Sequence, residues 1–307
     1  MSAQAREERY TNVLQESQFL QLGSERLHFR KMGQGPGRSG VLLIHGTIED
    51  GRIFYTESGR GLGPFLAQAG FEVWVPDLRG RGQSEPRVGP EARHGQHELI
   101  VEEIPFLIRT MFQATGQPVR VGTHSWGGVL VLSALVRFPE LVPMVEALFF
   151  FGTKRSIHIR TAEKLLKIDL GWFRAGELLC RRRGYLRISP YLPGVQDEPA
   201  RFFRESCEWV KVQPWIDPRD QFNYGEAIRT VALPRCLFIT GARDSYLGHP
   251  HDVRELMKEA GLAQAPFRVV GRAFGAKHDY DHIDLLTHRD APTDHFPWIV
   301  DWLRGGV

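Results

Sequence analysis

The stretch Gly122-Thr123-His124-Ser125-Trp126-Gly127-Gly128 leaves the chain few choices of fold. A short apolar run at 119–121 precedes it, and a helical apolar pattern at 129–138 follows. A strand that enters a helix through so short a turn sets Ser125 at the end of a sheet with its hydroxyl turned outward. The amides just after the serine open a helix N-terminus, where N–H groups point at incoming negative charge. Such a turn needs small flanking residues. Gly127 is one; Thr123 takes the other flank, where Gly is commoner, and its β-branch makes it the misfit of the stretch.

The rest of the chain repeats the same alternation. Apolar runs at 19–22, 27–32, 41–44, 71–75, 147–151, 237–240 and 267–270 read as strands, the first two joined by a turn at Gly23-Ser24. Helical patterns lie at 62–69, 98–114 (despite Pro105), 127–138, 251–260 and 296–303, and 33–37 is a loop by composition. This alternation predicts the α/β class, a doubly wound and mostly parallel sheet. Residues 153–232 break it: they hold helical patterns at 162–182 and 198–212 and no strand signal. They are expected to form an inserted helical lid. Residues 18–152 and 233–307 are then the core, and 1–17 an N-terminal extension. A length of 307 residues with 42% hydrophobic content supports a large core with such an insertion.

A net charge of +3 gives no global signal for nucleic acid. The three cysteines, Cys180, Cys207 and Cys236, show no CxxC spacing and fit a reducing cytoplasm. The polar start MSAQAREERY lacks the apolar centre of a signal peptide, and no stretch approaches the roughly 20 apolar residues of a membrane span. A cytoplasmic location is the expectation; the sequence leaves oligomeric state open. Residues 154–187 carry ten Lys and Arg against three Asp and Glu. That excess is expected to be a solvated helix face, or else a patch drawn to an anionic substrate or a membrane surface.

A serine hydroxyl is a poor nucleophile alone and needs a base within hydrogen-bond reach, itself oriented by an acid. Asp244 follows the strand at 237–240, so it lies at the same sheet edge as Ser125. One strand later comes Lys277-His278-Asp279-Tyr280-Asp281-His282-Ile283-Asp284, where His278 and His282 compete for the base. Asp279, Asp281 and Asp284 are expected in a solvated loop and a helix start, and His124 as a packed neighbour. His278, His282, His288 and His295 match no metal-ligand spacing. Neither a metal nor another cofactor is expected.

The chain resembles the α/β-hydrolase superfamily in its serine esterase and lipase branch. The segment from Gly70 to Ser84, with Asp77-Leu78-Arg79-Gly80-Arg81-Gly82, matches a loop typical of that superfamily. Asp281-His282-Ile283-Asp284-Leu285-Leu286, with Arg289-Asp290-Ala291-Pro292 after it, is similar to the tail of acid-lipase-like and polyhydroxyalkanoate-synthase-like members. The resemblance implies a triad of Ser125, Asp244 and His282, and from the turn His45-Gly46-Thr47 an oxyanion hole made by the backbone N–H groups of Thr47 and Trp126. His45 and Asp77 are implied to brace loops. Synthases of this kind carry Cys at the nucleophile position, where this chain has Ser125.

These readings predict a hydrolase that cleaves a carboxylic ester through an acyl-enzyme. The lid aromatics, with Trp172, Trp209 and Trp215 as the substrate-binding candidates, point to an apolar acyl or aryl group. Aminopeptidase or amidase activity, and thioester cleavage or acyl transfer, use the same triad. The first would need a lid carboxylate, such as Glu205 or Glu208, for a substrate amino group. A small-molecule-binding protein without catalysis is the rival of another class. Epoxide hydrolases and haloalkane dehalogenases need Asp where Ser125 stands.

Overall fold

A computed structural model describes residues 13–33, 38–192 and 194–306. Most of the expected N-terminal extension and the 34–37 part of the loop lie outside the described residues. The first strand, β1, covers Gln15–Leu22 and so starts inside that extension. It pairs antiparallel with β2 (Glu25–Met32), and β2 pairs antiparallel with β4 (Glu72–Pro76). The remaining strands are β3 (Gly40–Ile44), β5 (Val119–His124), β6 (Val145–Phe151), β7 (Arg235–Gly241) and β8 (Phe267–Val270), all paired in parallel. The eight strands run in the order β1-β2-β4-β3-β5-β6-β7-β8.

The central strands are apolar on both faces because helices cover both. The period of two sorts them: Leu42, Ile44, Leu148, Phe150 and Phe238 face one cluster, and Val41, Leu43, Phe149, Phe151, Leu237 and Ile239 the other. The first cluster is closed by α2 (Ile104–Thr115) and α3 (Trp126–Arg137), the second by α1 (Leu62–Gln68) and the last helix, Phe296–Leu303. Pro105 lies inside an unbroken helical run, Gln96–Glu98, a wider π turn at Leu99–Glu103 and then α2, and that π turn directly before it is where the helix departs from regular geometry.

Between β6 and β7 the chain leaves the sheet. Helical residues run over Ala162–Lys164, Leu165–Ala175 and Gly176–Arg183, and a second helix spans Ala200–Trp209. A two-residue ladder, Tyr185–Leu186 with Glu198–Pro199, joins them where no strand was expected. Cys180, Leu186, Ala200, Phe203 and Cys207 form a small core of this excursion. None of the three cysteines is in a disulfide. No helix among the described residues is long and apolar enough to cross a membrane.

β3 connects to β4 on one side of the sheet, and β5 begins its other side. The carboxyl ends of β3 and β5 therefore flank the point where the strand order reverses, and crevices form there.

Candidate active site

Ser125 sits between β5 and α3 with φ 52° and ψ −123°, a left-handed backbone that costs energy in a non-glycine residue. The turn is held from both sides. Ser125 N–H donates to the Phe151 carbonyl at 2.8 Å, and Thr153 Oγ1 donates to the Ser125 carbonyl at 2.9 Å. Gly127 has no alternative, since a Cβ there would lie 2.5 Å from the His45 carbonyl oxygen. Gly46 is tied likewise: its Cβ would lie 2.8 Å from that of Ser125. Thr123 is fully buried, and its hydroxyl has no hydrogen-bond partner among the described residues.

The structure brings Ser125, His282 and Asp244 together at one end of the sheet. Ser125 and His282 line the same cavity, about 720 Å³ in volume. His282 Nδ1 lies 2.6 Å from Asp244 Oδ2, and Asp244 Oδ1 accepts from Leu247 N–H (3.0 Å) and Gly248 N–H (2.8 Å). Burial raises the Asp244 carboxyl, but the His282 ring and these N–H donors outweigh it and hold the group below its ordinary 3.8. Ser125 Oγ has no hydrogen bond to a described residue; such contacts are often loose before substrate binds. His278, the rival, lies elsewhere: its Nε2 is 2.7 Å from Asp290.

Thr47 and Trp126 also line the cavity, and their backbone N–H groups have no partner among the described residues. His45 braces the Thr47 turn. Its Nε2 accepts from Leu78 N–H at 2.9 Å, so Nδ1 carries the proton and donates to the Gly46 carbonyl at 3.0 Å. Burial and the Arg81 charge lower its pKa and keep it neutral. Asp77 accepts from His28, Gly51 N–H and Gln83 N–H, which makes it a loop organiser.

Three groups escaped the sequence reading. Glu49 accepts from His124 Nδ1 at 2.8 Å and from Gly46 N–H at 2.8 Å. His124 Nε2 lies 3.0 Å from the His282 carbonyl oxygen. Both ring nitrogens of His124 thus face acceptors, so both donate and the ring is an imidazolium. Burial lowers the His124 pKa, but the Glu49 carboxylate more than reverses this and leaves it raised. His124 is thus one half of an ion pair behind the serine. Glu49, His124 and His282 form a close trio, yet the bonds to Glu49, the His282 carbonyl and Asp244 use three of the four ring nitrogens. Glu198, from the excursion, accepts from Ile48 N–H at 2.5 Å and pairs with buried Arg81. Ile48 has φ 54°, and its carbonyl accepts from Gln196 N–H, so the excursion fixes the turn that carries Thr47. The third group, Lys154, lines the cavity and is 7% exposed.

Two substrate-binding expectations need correction. Trp172 is on the cavity wall, but Trp209 and Trp215 are not. They are 2% and 1% exposed and pack edge to face with each other inside the main core, beside Tyr224. Trp209 Nε1 donates to the Ile216 carbonyl, which removes the polar cost of burying the indole. The basic stretch also departs from a uniform solvated face. Lys154 and Arg155 are buried, with Arg155 donating to Glu259 and to the carbonyls of Trp209 and Gln213.

The alpha/beta hydrolase fold family matches residues 41–175. The bifunctional epoxide hydrolase 2 of Sus scrofa is 37% identical over 123 residues, which are 40% of this chain and 20% of that protein. The lysosomal acid lipase/cholesteryl ester hydrolase of Homo sapiens is 27% identical over 144 residues, 44% of this chain and 36% of its own length. The chain thus spans well under half of these relatives. The structure of a soluble variant of monoglyceride lipase from Saccharomyces cerevisiae superposes with a TM-score of 0.69 at 15% identity, covering 96% of this chain and 97% of that one. Strand order, the turn at Ser125 and the superposition agree: the chain has the alpha/beta hydrolase fold.

Proposed function

We propose that this hydrolase-fold protein is a serine hydrolase that cleaves carboxylic esters with an apolar acyl or aryl group. The observation that carries the reading is the strained Ser125, facing the same cavity as a histidine whose far nitrogen is held by Asp244. In this reading Ser125 Oγ attacks the acyl carbon while His282 Nε2 takes its proton. Asp244 keeps the other proton on Nδ1 and stabilises the imidazolium that forms. The Thr47 and Trp126 N–H groups receive the oxyanion. His282 then protonates the leaving alcohol, and water attacks the acyl-enzyme by the same route in reverse.

Ile53, Ile157, Ile168, Trp172 and Phe173 give the cavity an apolar wall. Four of these come from the excursion after β6, which acts as the lid. The resemblance to epoxide hydrolases raises epoxide opening as the competitor. The turn presents the Ser125 hydroxyl, however, where that chemistry needs a carboxylate. Aminopeptidase activity has less support: Glu205 is occupied by Gln96 N–H and Arg201, and Glu208 pairs with Lys211.

A fluorophosphonate probe should label the chain, and Ser125→Ala should abolish the label together with p-nitrophenyl butyrate hydrolysis. Label that persists in Ser125→Ala, or turnover of an aryl epoxide without ester turnover, would sink the reading.

A further inference from the structure

Among the described residues, five charged side chains line the cavity beside Ser125: Glu49, Asp50, Arg52, Lys154 and Lys167. Four are neutralised within the protein. Glu49 is paired with His124, Asp50 with Arg52 at 2.6 Å, and Lys167 with Glu163 at 2.6 Å. Lys154 is the exception. Its ammonium has no hydrogen bond and no ion pair among the described residues, although the side chain is 7% exposed. Nζ stands 5.9 Å from the centre of the Trp126 ring, at the outer limit of a useful cation–π contact.

Asp244 and Asp252 attract the lysine from further away. Asp244 is committed to His282, Leu247 and Gly248. Asp252 gives one oxygen to His158 N–H, and its other oxygen is buried without a partner. Burial pulls the Lys154 amine below its ordinary 10.5, with the two aspartates opposing. Burial without a counter-ion drives an amine towards its neutral form, and a ligand carboxylate in the cavity would supply the partner that favours the charged one.

We infer that Lys154 is the docking group for a carboxylate carried by the substrate. The preferred esters then have an apolar portion that ends in an acid, such as dicarboxylic acids esterified at one end. The inference rests on the esterase reading for its substrate class. It also separates that reading further from an aminopeptidase, whose pocket needs a spare carboxylate where this one offers a spare cation.

The test compares mono-p-nitrophenyl esters of adipate, pimelate and suberate with p-nitrophenyl esters of the matching monoacids. A second arm compares 4-carboxyphenyl with 4-methylphenyl acetate, which moves the acid to the leaving group. In the native chain kcat/KM should favour the acid-bearing member of at least one arm. Lys154→Met should cut that preference by about 10–100-fold, the scale of a charge-assisted hydrogen bond, and Lys154→Arg should restore most of it. Suberate binding measured by calorimetry, which needs no turnover, should weaken by a similar factor in Lys154→Met.

A native chain that prefers the uncharged ester in both arms overturns the proposal without any variant. So does a preference that is unchanged in Lys154→Met while thermal stability falls as it does in Asp252→Asn; the lysine would then serve Asp252. Suberate binding that depends on Lys154 in a chain that cleaves no ester upholds the carboxylate site and refutes the esterase reading. Ester turnover with no dependence on Lys154 does the reverse.

Discussion

Asp244→Asn tests the proposed division of labour most sharply, because the surroundings dictate which way the new amide points. Asp244 Oδ1 takes two backbone N–H groups, from Leu247 and Gly248, while Oδ2 faces His282 Nδ1 at 2.6 Å. If the Asn oxygen keeps the two N–H donors, its NH₂ group meets Nδ1. That nitrogen must then accept, so the ring proton moves to Nε2, and His282 can no longer take a proton from Ser125. The opposite orientation sets NH₂ against two N–H donors. At about 1–3 kcal/mol for each buried donor left unpaired, it is disfavoured by roughly 2–6 kcal/mol. The unproductive tautomer therefore dominates. The expected result is a fall in kcat of about 10⁴, the size found for the same exchange in a Ser-His-Asp protease, with KM little changed. Hydrolysis of p-nitrophenyl butyrate and the rate of fluorophosphonate labelling should fall together, while far-ultraviolet circular dichroism stays native. A loss of less than about tenfold would show that Asp244 does not control the His282 tautomer and would refute the reasoning.

Two further predictions concern stability. The folded pKa of His124 is raised above its ordinary 6.5, so its contribution is complete below that value and fades as pH rises through the folded pKa. Burial raises Glu49, but His124 outweighs it and the folded pKa lies below 4.5; that contribution is present above 4.5 and fades as pH falls through the folded pKa. The pair should therefore stabilise most between about pH 4.5 and 6.5, and Glu49→Gln should flatten this window in urea titrations run across pH; a parallel pair of curves would rule it out. Thr123→Val replaces a buried, unpartnered hydroxyl with a methyl group of similar shape and should raise stability by about 1 kcal/mol in denaturant unfolding, whereas a loss would mean that the hydroxyl is satisfied.

Much of the molecule was legible in the residues. The runs at 41–44 and 147–151 are apolar without interruption because helices cover both faces of their strands, and that composition alone predicts a parallel sheet. Ser125 was legible because a strand and a helix abut it within a few residues. Asp244 could be placed because it follows a recognisable strand. His278 and His282 competed by position, and the tail resemblance favoured His282; in the structure His278 lies against Asp290 and His282 against Asp244. The aromatic residues of the excursion misled, since composition shows that an indole wants burial but not which surface will bury it. Trp172 reached the cavity and Trp209 the core.

The sequence by itself determined the order of strands and helices in the core, the fold class and the serine turn, because the periodicity and turn signals behind each are local. Tertiary structure decided which charges are neutralised. Glu49 meets His124 across 75 positions, Glu198 meets Ile48 across 150, and Arg155 meets Glu259 across 104. Only that pairing exposes the residue left over. Lys154 is one of ten basic residues in its stretch, and nothing in its immediate neighbours marks it. Its isolation depends on which carboxylates folding brings near and which it commits elsewhere, because the energy of a buried charge is set by whatever surrounds it in space.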